Sequence, residues 1–85
     1  MSEPIGIIAG SGQFPRLVAE GARAASMDPI MCGFFGQTDP ELETTASRFT
    51  LVHLGQFGKV LKFFQHNGVR RVCFAGAINK PRALD

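Results

Sequence analysis

Three glycine-containing segments with polar neighbours carry the residue types that could hold an anionic ligand. They are residues 10–13 (Gly-Ser-Gly-Gln), 55–59 (Gly-Gln-Phe-Gly-Lys) and 76–80 (Gly-Ala-Ile-Asn-Lys). Glycine lets the main chain approach a ligand closely, free N–H groups can bind phosphate or sugar oxygens, and lysine adds positive charge. The candidate substrate-binding residues are Gly10, Ser11, Gly12, Gln13, Gly58, Lys59, Gly76, Ala77, Asn79 and Lys80.

Each of these residues also has an interpretation that involves no ligand. The glycines could simply form tight turns, the lysines could be ordinary solvated surface, and Asn79 could cap a turn. Gly10 and Gly12 match two positions of the dinucleotide-binding fingerprint, but Pro15 stands at the third. No acidic residue ends the next predicted strand to hold a ribose. A phosphate or substrate cradle and a turn without a ligand both remain open, whereas a nicotinamide or flavin site is disfavoured.

Apolar runs and glycine breaks predict the elements that would position these segments. Short apolar runs predict strands over 5–9, 30–35, 49–54 and 69–75. A first helix is expected to open at Phe14-Pro15 and a second within residues 55–59, with a turn over 26–29 and a helical turn that starts at 39–41. We therefore expect an α/β fold: a small Rossmann-like parallel sheet of about four strands with flanking helices. The carboxyl ends of parallel strands meet at one edge, so all three glycine segments should lie there.

The apolar positions of the two helices are expected to face the sheet. In the first helix these positions are Phe14, Leu17, Val18, Ala22 and Ala25, and in the second they are Phe57, Val60, Leu61 and Phe64. Gly68 is expected to take the left-handed conformation that ends the second helix.

Composition narrows the functional classes. The 85 residues have room for one small domain, and no segment is long and apolar enough to span a membrane. The start, Met-Ser-Glu-Pro, lacks the basic region of a secretory signal. Residues 1–43 have two basic and six acidic side chains (net −4), and residues 44–85 have seven basic and one acidic (net +6). A basic half suits an anionic ligand. Nucleic acid is not expected, because the basic residues are dispersed and the phenylalanines fall mostly at core-like spacing.

The cysteines and histidines are interpreted as structural. Cys32 and Cys73 lie in apolar strand-like runs and are expected to be reduced and buried. His53 stands alone on a predicted strand, and His66 lies in the last turn of a helix. No cluster of these residues with carboxylates has metal-ligand spacing, so no metal site is predicted.

Several motifs follow one another along the chain. They are Ile7-Ile8-Ala9-Gly10-Ser11-Gly12-Gln13-Phe14-Pro15, Asp39-Pro40, Gly55-Gln56-Phe57-Gly58-Lys59, and Val72-Cys73-Phe74-Ala75-Gly76 followed by Asn79-Lys80-Pro81. In order and spacing these motifs resemble the LpxI-type UDP-2,3-diacylglucosamine pyrophosphatases of lipid A biosynthesis, whose sequences open with the pattern I-A-G-x-G-x-x-P. The resemblance covers essentially all 85 residues.

The resemblance implies that residues 1–85 are the Rossmann-like N-terminal domain of a two-domain hydrolase. Such enzymes hydrolyse UDP-2,3-diacylglucosamine to 2,3-diacylglucosamine 1-phosphate and UMP with Mg²⁺ or Mn²⁺, and the substrate binds between the domains. The second domain, with the essential carboxylate, is expected to be absent from this chain. We therefore expect no catalytic residue, no bound metal and no activity from the chain alone.

The resemblance also implies partners and a location. The partners would be the UDP-linked diacylated glucosamine, the second domain and a second copy in a homodimer. The location would be the cytoplasm, with peripheral contact at the inner membrane through the lipid substrate. Two alternatives of other classes remain: a stand-alone nucleotide-binding module without catalysis, and a structural half-domain whose sheet edge or apolar face mediates assembly.

Overall fold

The computed structural model describes residues 2–79 and confirms an α/β fold. Four parallel strands form one sheet in the order β3-β2-β1-β4, so consecutive strands do not all neighbour one another. The elements in chain order are β1 (Glu3–Ala9), α1 (Phe14–Ala24), β2 (Met27–Phe34), a 3-10 helix (Pro40–Thr45), β3 (Arg48–Val52), α2 (Phe57–His66) and β4 (Val72–Ala75).

Strand β1 lies between β2 and β4, and the registers align the carboxyl ends of all three. Ala9 pairs with Gly33 of β2 on one side and with Ala75 of β4 on the other. Strand β3 lies outside β2, where Phe34 pairs with Val52. The loops that follow the strands therefore emerge along one edge of the sheet, as predicted for parallel strands.

The helices cover opposite faces of the sheet. On one face, Ile7 and Met31 pack with Ala19 of α1 and Leu42 of the 3-10 helix. On the other face, the second core cluster joins strands β2 and β3 to α2; its members are Ile30, Cys32, Phe34, Val52, Val60 and Phe64. The residue that α1 buries in the first cluster, Ala19, is small.

The predicted buried stripe of α1 is wrong at its large residues. Phe14 and Leu17 are each 58% exposed, and Ala25 is exposed too. Pro15, Ala19 and Ala22 are the buried residues of the helix, and Val18 packs partly against the core. A helix that lies close to the sheet turns small side chains toward it, and this leaves the large ones outside.

The predicted stripe of α2 is half right. Val60 and Phe64 are buried against the sheet, whereas Phe57 is 67% and Leu61 is 61% exposed. The helix ends as predicted, because Gly68 takes a left-handed conformation with φ of +69°.

The turn before β2 is shorter than predicted. Strand β2 already begins at Met27, so Asp28 and Pro29 are strand residues and Ser26, with φ of +62°, makes the turn. Pairing with β3 begins only at Ile30. Pro29 therefore lies where β2 has one neighbour, and its missing N–H costs little there. The predicted helical turn at 39–41 is present and continues as the 3-10 helix, with Asp39 accepting a hydrogen bond from the Glu41 N–H.

Both cysteines are free thiols: Cys32 is buried and Cys73 is half-buried. Burial raises the pKa of the Cys32 thiol from 9.0 to about 11 and also raises the pKa of Cys73. The expectation that the phenylalanines are mostly core residues is wrong, since four of the eight are more than half exposed; these are Phe14, Phe35, Phe57 and Phe74. In the described part of the chain, neither helix has the length and apolar character to cross a membrane.

Candidate functional site

The loops after β1 and β4 are joined through their main chains. The Ser11 N–H donates to the Ala77 oxygen at 2.8 Å, and the Ala77 N–H donates back to the Ser11 oxygen at 3.2 Å. The Ser11 hydroxyl also donates to the Ala77 oxygen, at 3.0 Å. We call this contact the Ser11–Ala77 bridge. It brings together two of the three predicted segments, which lie far apart in the sequence.

Gly10 and Gly76 make that close approach possible. A Cβ on Gly10 would lie 2.4 Å from the Ala77 oxygen, and one on Gly76 would lie 2.5 Å from the Ser11 oxygen. Gly76 also has φ of +93°, a conformation that other residues rarely adopt. These two glycines are therefore explained by the contact between the loops. The main-chain N–H and C=O groups of Ser11 and Ala77 are hydrogen-bonded to each other. The Ser11 amide, which we expected to face a ligand, is therefore already bonded.

The next three residues leave main-chain donors available. No hydrogen bond within residues 2–79 uses the N–H of Gly12, Gln13 or Phe14. Gly12 has φ of +92° and open space around its α-carbon, and all three residues are exposed. Gln13 caps α1 without a side-chain hydrogen bond, and the first turn has no acidic residue. The positive end of the helix dipole therefore faces solvent beside these N–H groups, an arrangement that favours an anion.

A fourth loop, which the sequence analysis did not assign to the site, completes this edge. The Gln37 amide of the loop after β2 bonds twice to the main chain of Asn79: Asn79 N–H donates to Gln37 Oε1 at 2.9 Å, and Gln37 Nε2 donates to the Asn79 oxygen at 3.3 Å. The Asn79 main chain thus anchors the β4 loop. The signal for Gln37 is its position in the loop that follows β2, since the loops after parallel strands meet at this edge.

Thr38 anchors the same loop to the ends of β1 and β2. Its hydroxyl donates to the Ala9 oxygen at 2.6 Å and accepts from the Phe34 N–H at 2.8 Å. Gly33 gives it room, because a Cβ there would lie 2.5 Å from Thr38 Cγ2. Thr38 is the buried polar residue of the described chain, at 5% exposure. The ends of β1 and β2 are therefore locked together beneath the loops.

The third predicted segment lies on the same edge but apart from the bridge. Gly58 and Lys59 are exposed in the first turn of α2, which follows the outer strand β3. Strand β3 is two strand spacings from β1, about 10 Å. Its loop contacts the loop after β2 through the rings of His53 and Phe35, whose centroids are 4.7 Å apart. Lys80 lies outside the described residues.

The described part of this edge does not fit a divalent cation. Magnesium prefers carboxylate and water oxygens. Within residues 2–79, no group of three or more His, Cys, Asp or Glu side chains is placed to hold a metal. The carboxylate of Asp39, in the loop after β2, already accepts from the Glu41 N–H at 2.9 Å. What this edge offers a ligand is main-chain N–H groups.

A cavity of about 420 Å³ lies away from the glycine loops. It is lined by Arg48, Phe49, Thr50, Phe63, His66 and Asn67. These residues come from the start and middle of β3 and the end of α2, so the cavity lies toward the amino end of β3, away from the edge that carries the glycine loops. We place the candidate site at the glycine loops, because the free main-chain donors are there.

The structure defines a parallel α/β protein whose candidate site is built from the loops that follow its strands. Residues 4–85 match the family model described as the LpxI N-terminal domain. A curated relative, the UDP-2,3-diacylglucosamine pyrophosphatase LpxI of Caulobacter vibrioides, is 32% identical over 77 residues, which cover 91% of this chain and 27% of the relative. The chain belongs to the LpxI family and confirms the resemblance found in its motifs. It spans about a quarter of the length of that relative.

Proposed function

We propose that this chain is the substrate-binding N-terminal domain of a UDP-2,3-diacylglucosamine pyrophosphatase. The reaction would be hydrolysis of UDP-2,3-diacylglucosamine to 2,3-diacylglucosamine 1-phosphate and UMP in lipid A biosynthesis. The observation that carries the proposal is the exposed set of N–H groups at residues 12–14, held beside the Ser11–Ala77 bridge in a chain of this family.

These N–H groups would bind oxygens of the diphosphate or of the glucosamine. A diphosphate brings negative charge, and N–H donors at a helix start stabilise that charge without a basic side chain. The bridge holds the donors in place before the substrate arrives, which reduces the entropy lost on binding. Gly58 and Lys59 would contact a more distant part of the same large substrate, about two strand spacings away along the edge.

The hydrolytic chemistry itself is assigned to a second domain. Cleavage needs water to attack one phosphorus while the bridging oxygen leaves with the other phosphate, whereas the described residues at this edge offer main-chain N–H donors. The Mg²⁺ or Mn²⁺ of the family would likewise be held by carboxylates outside this edge. We therefore propose that the chain is inactive alone, and that it works in the cytoplasm at the surface of the inner membrane, where its lipid substrate lies.

A hydrolysis assay and a binding assay together test this proposal. The 85-residue chain with Mg²⁺ should leave UDP-2,3-diacylglucosamine uncleaved, yet calorimetry should detect binding of a short-chain form of this substrate. The polypeptide extended with the residues that follow in the Caulobacter relative should release UMP. An extended protein that folds, binds metal and leaves the substrate intact would contradict the proposal.

A nucleotide-binding module without catalysis is the second candidate. The free N–H groups at the start of α1 favour it, because they would donate hydrogen bonds to the phosphate oxygens of any nucleotide. Against it, Pro15 is buried at the third fingerprint position. Titration with NADH, FAD and ATP separates the two proposals, since binding of any of these tighter than binding of the UDP-sugar lipid would favour the module.

A further inference from the structure

One face of β4 is apolar and exposed. Val72 is 51% and Phe74 is 65% exposed, although both belong to a strand that is paired with the central strand β1. The register pairs Val72 with Gly6 and Phe74 with Ile8. A Cβ on Gly6 would contact both Val72 and Phe64 at 3.1 Å, so Val72 and Phe74 lie on the face that α2 covers. We call this surface the β4 face.

Helix α2 covers the neighbouring part of that face and leaves Val72 and Phe74 of β4 more than half exposed. Its buried residues, Val60 and Phe64, pack on Ile30, Cys32 and Phe34 of β2 and on Val52 of β3. Ile8 of β1 is only partly buried beside them. Exposed contiguous apolar surface on a sheet usually marks a place where another element packs.

The topology indicates which element that is. From β1 to β2 the chain moves along the sheet toward β3, and its helix α1 packs on one face. From β3 to β4 the chain moves in the opposite direction, and its helix α2 packs on the other face. Crossovers between parallel strands are right-handed. Within residues 2–79, β4 has no partner strand at its other edge, which we call its free edge. A connection from β4 to a strand beyond that edge would continue in the direction taken by α2. Its helix would therefore pack on the α2 side, directly over Val72 and Phe74.

The strand order supports the same conclusion. The order β3-β2-β1-β4 corresponds to the first four positions of the doubly wound order 3-2-1-4-5-6, in which a fifth strand pairs with the fourth. The relative from Caulobacter is much longer than the aligned part, which is 27% of its length.

We propose that the β4 face is the docking surface for an amphipathic helix of the polypeptide that follows this segment in longer members of the family. The apolar stripe of that helix packs on Val72 and Phe74 and completes the core on the α2 side. The strand after the helix pairs with the free edge of β4. This contact concerns the assembly of the longer chain, and it lies on a sheet face and not at the carboxyl edge where we place the substrate.

The test compares the same substitution in two polypeptides. One is the 85-residue chain, and the other is this chain fused to the residues that follow the aligned part of the Caulobacter relative. Phe74→Ser removes the main apolar group of the β4 face. Leu17→Ser is the matched control, because Leu17 is similarly exposed but lies on α1, on the other side of the sheet.

In the 85-residue chain, both substitutions should change the unfolding equilibrium constant in urea by about twofold or less, as expected for exposed sites. In the fusion, Phe74→Ser should raise that constant by about 100-fold or more, as for loss of a buried phenylalanine, while Leu17→Ser stays near twofold. Equal, small effects of Phe74→Ser in both polypeptides would overturn the proposal.

Two further measurements cover the remaining outcomes. If the 85-residue chain sediments as a dimer that Phe74→Ser dissociates, a second copy occupies the β4 face and the proposal is wrong. If the fusion does not fold, the following stretch is added as a separate peptide to the ¹⁵N-labelled 85-residue chain. Amide shifts confined to Ile8, residues 72–75 and α2 would support docking, and no shifts at millimolar peptide would overturn it.

Discussion

The hydroxyl of Thr38 donates to the main-chain oxygen of Ala9 at 2.6 Å and so connects the loop after β2 to the carboxyl end of β1. The same hydroxyl accepts from the Phe34 N–H at 2.8 Å, which closes the loop on its own strand. Both bonds are shielded from water because Thr38 is buried. One side chain therefore sets the relative positions of two strand ends that support the candidate site.

Replacing Thr38 with valine should destabilise the protein by about 2 to 4 kcal/mol. Valine keeps the shape of threonine but removes both hydrogen bonds from buried surroundings, where unpaired polar groups are costly. Urea unfolding monitored by circular dichroism measures the change. Thr44→Val is the matched control, because Thr44 is exposed and its hydroxyl donates to the nearby Glu41 oxygen at 2.9 Å. A cost for Thr38→Val no larger than the control would show that the bond to Ala9 contributes little.

Gly10→Ala should open the Ser11–Ala77 bridge. The new Cβ would lie 2.4 Å from the Ala77 oxygen, so the two loops must separate, at a cost of about 1 to 3 kcal/mol. Amide hydrogen exchange at Ser11 and Ala77 should become faster. Gly21→Ala is the control: Gly21 lies in α1 with open space around it, and alanine there should stabilise the helix by about 0.5 to 1 kcal/mol. Unchanged exchange at both amides in Gly10→Ala would contradict the predicted close contact.

Gln37→Ala should loosen the loop after β4 with only a small loss of stability. The substitution removes both bonds to the Asn79 main chain, but these bonds are exposed, so we expect a cost of about 1 kcal/mol or less. Ligand affinity should fall because the loop must then be ordered during binding. Gln65→Ala on the exposed surface of α2 should leave affinity unchanged. Calorimetry with the short-chain substrate measures both, and equal affinities in the two variants would remove Gln37 from the site.

The stability of the fold should decrease at alkaline pH through Cys32. Burial raises the pKa of this thiol from 9.0 to about 11, so its protonated form is favoured in the folded state. The contribution of the protonated thiol to the free energy of unfolding is fully present below pH 9. It is lost as the pH rises through 11, which lowers that free energy by up to about 3 kcal/mol. Cys32→Ala should lower stability at pH 7, because it leaves a small cavity, but should flatten the decline between pH 9 and 11. A decline of the same slope in Cys32→Ala would assign it to other groups.

The strand and helix order was predictable because the apolar runs are short, are broken by glycine and alternate with helical spacing. The side of each helix that faces the sheet was not fully predictable from the sequence. In α1, the predicted stripe is right at Ala22, which is buried, and wrong at Phe14 and Leu17, which are exposed. Pro15 and Ala19 are buried as well, and Ala19 packs with Ile7 in the core. The side of the helix that meets the sheet depends on tertiary packing, which local spacing does not contain.

The candidate site was predictable to a similar extent. Glycines after strands placed Gly10, Gly12 and Gly76 at one edge, since parallel strands align their carboxyl ends. The partner of Gly10 across the edge depends on strand order, and the sequence does not state that β4 lies next to β1. For the same reason Gln37 was missed: its bond to Asn79 spans 42 residues and two strands.

The most direct test of the proposed function is an NMR titration of the ¹⁵N-labelled 85-residue chain. The ligands are UMP, UDP-N-acetylglucosamine and a short-chain 2,3-diacylglucosamine 1-phosphate. Our account predicts saturable shifts of the Gly12, Gln13 and Phe14 amides with at least one phosphorylated ligand, while Gly21 in the middle of α1 stays unchanged. Saturable binding that shifts only amides elsewhere, such as those around the cavity lined by Arg48 and His66, would contradict it.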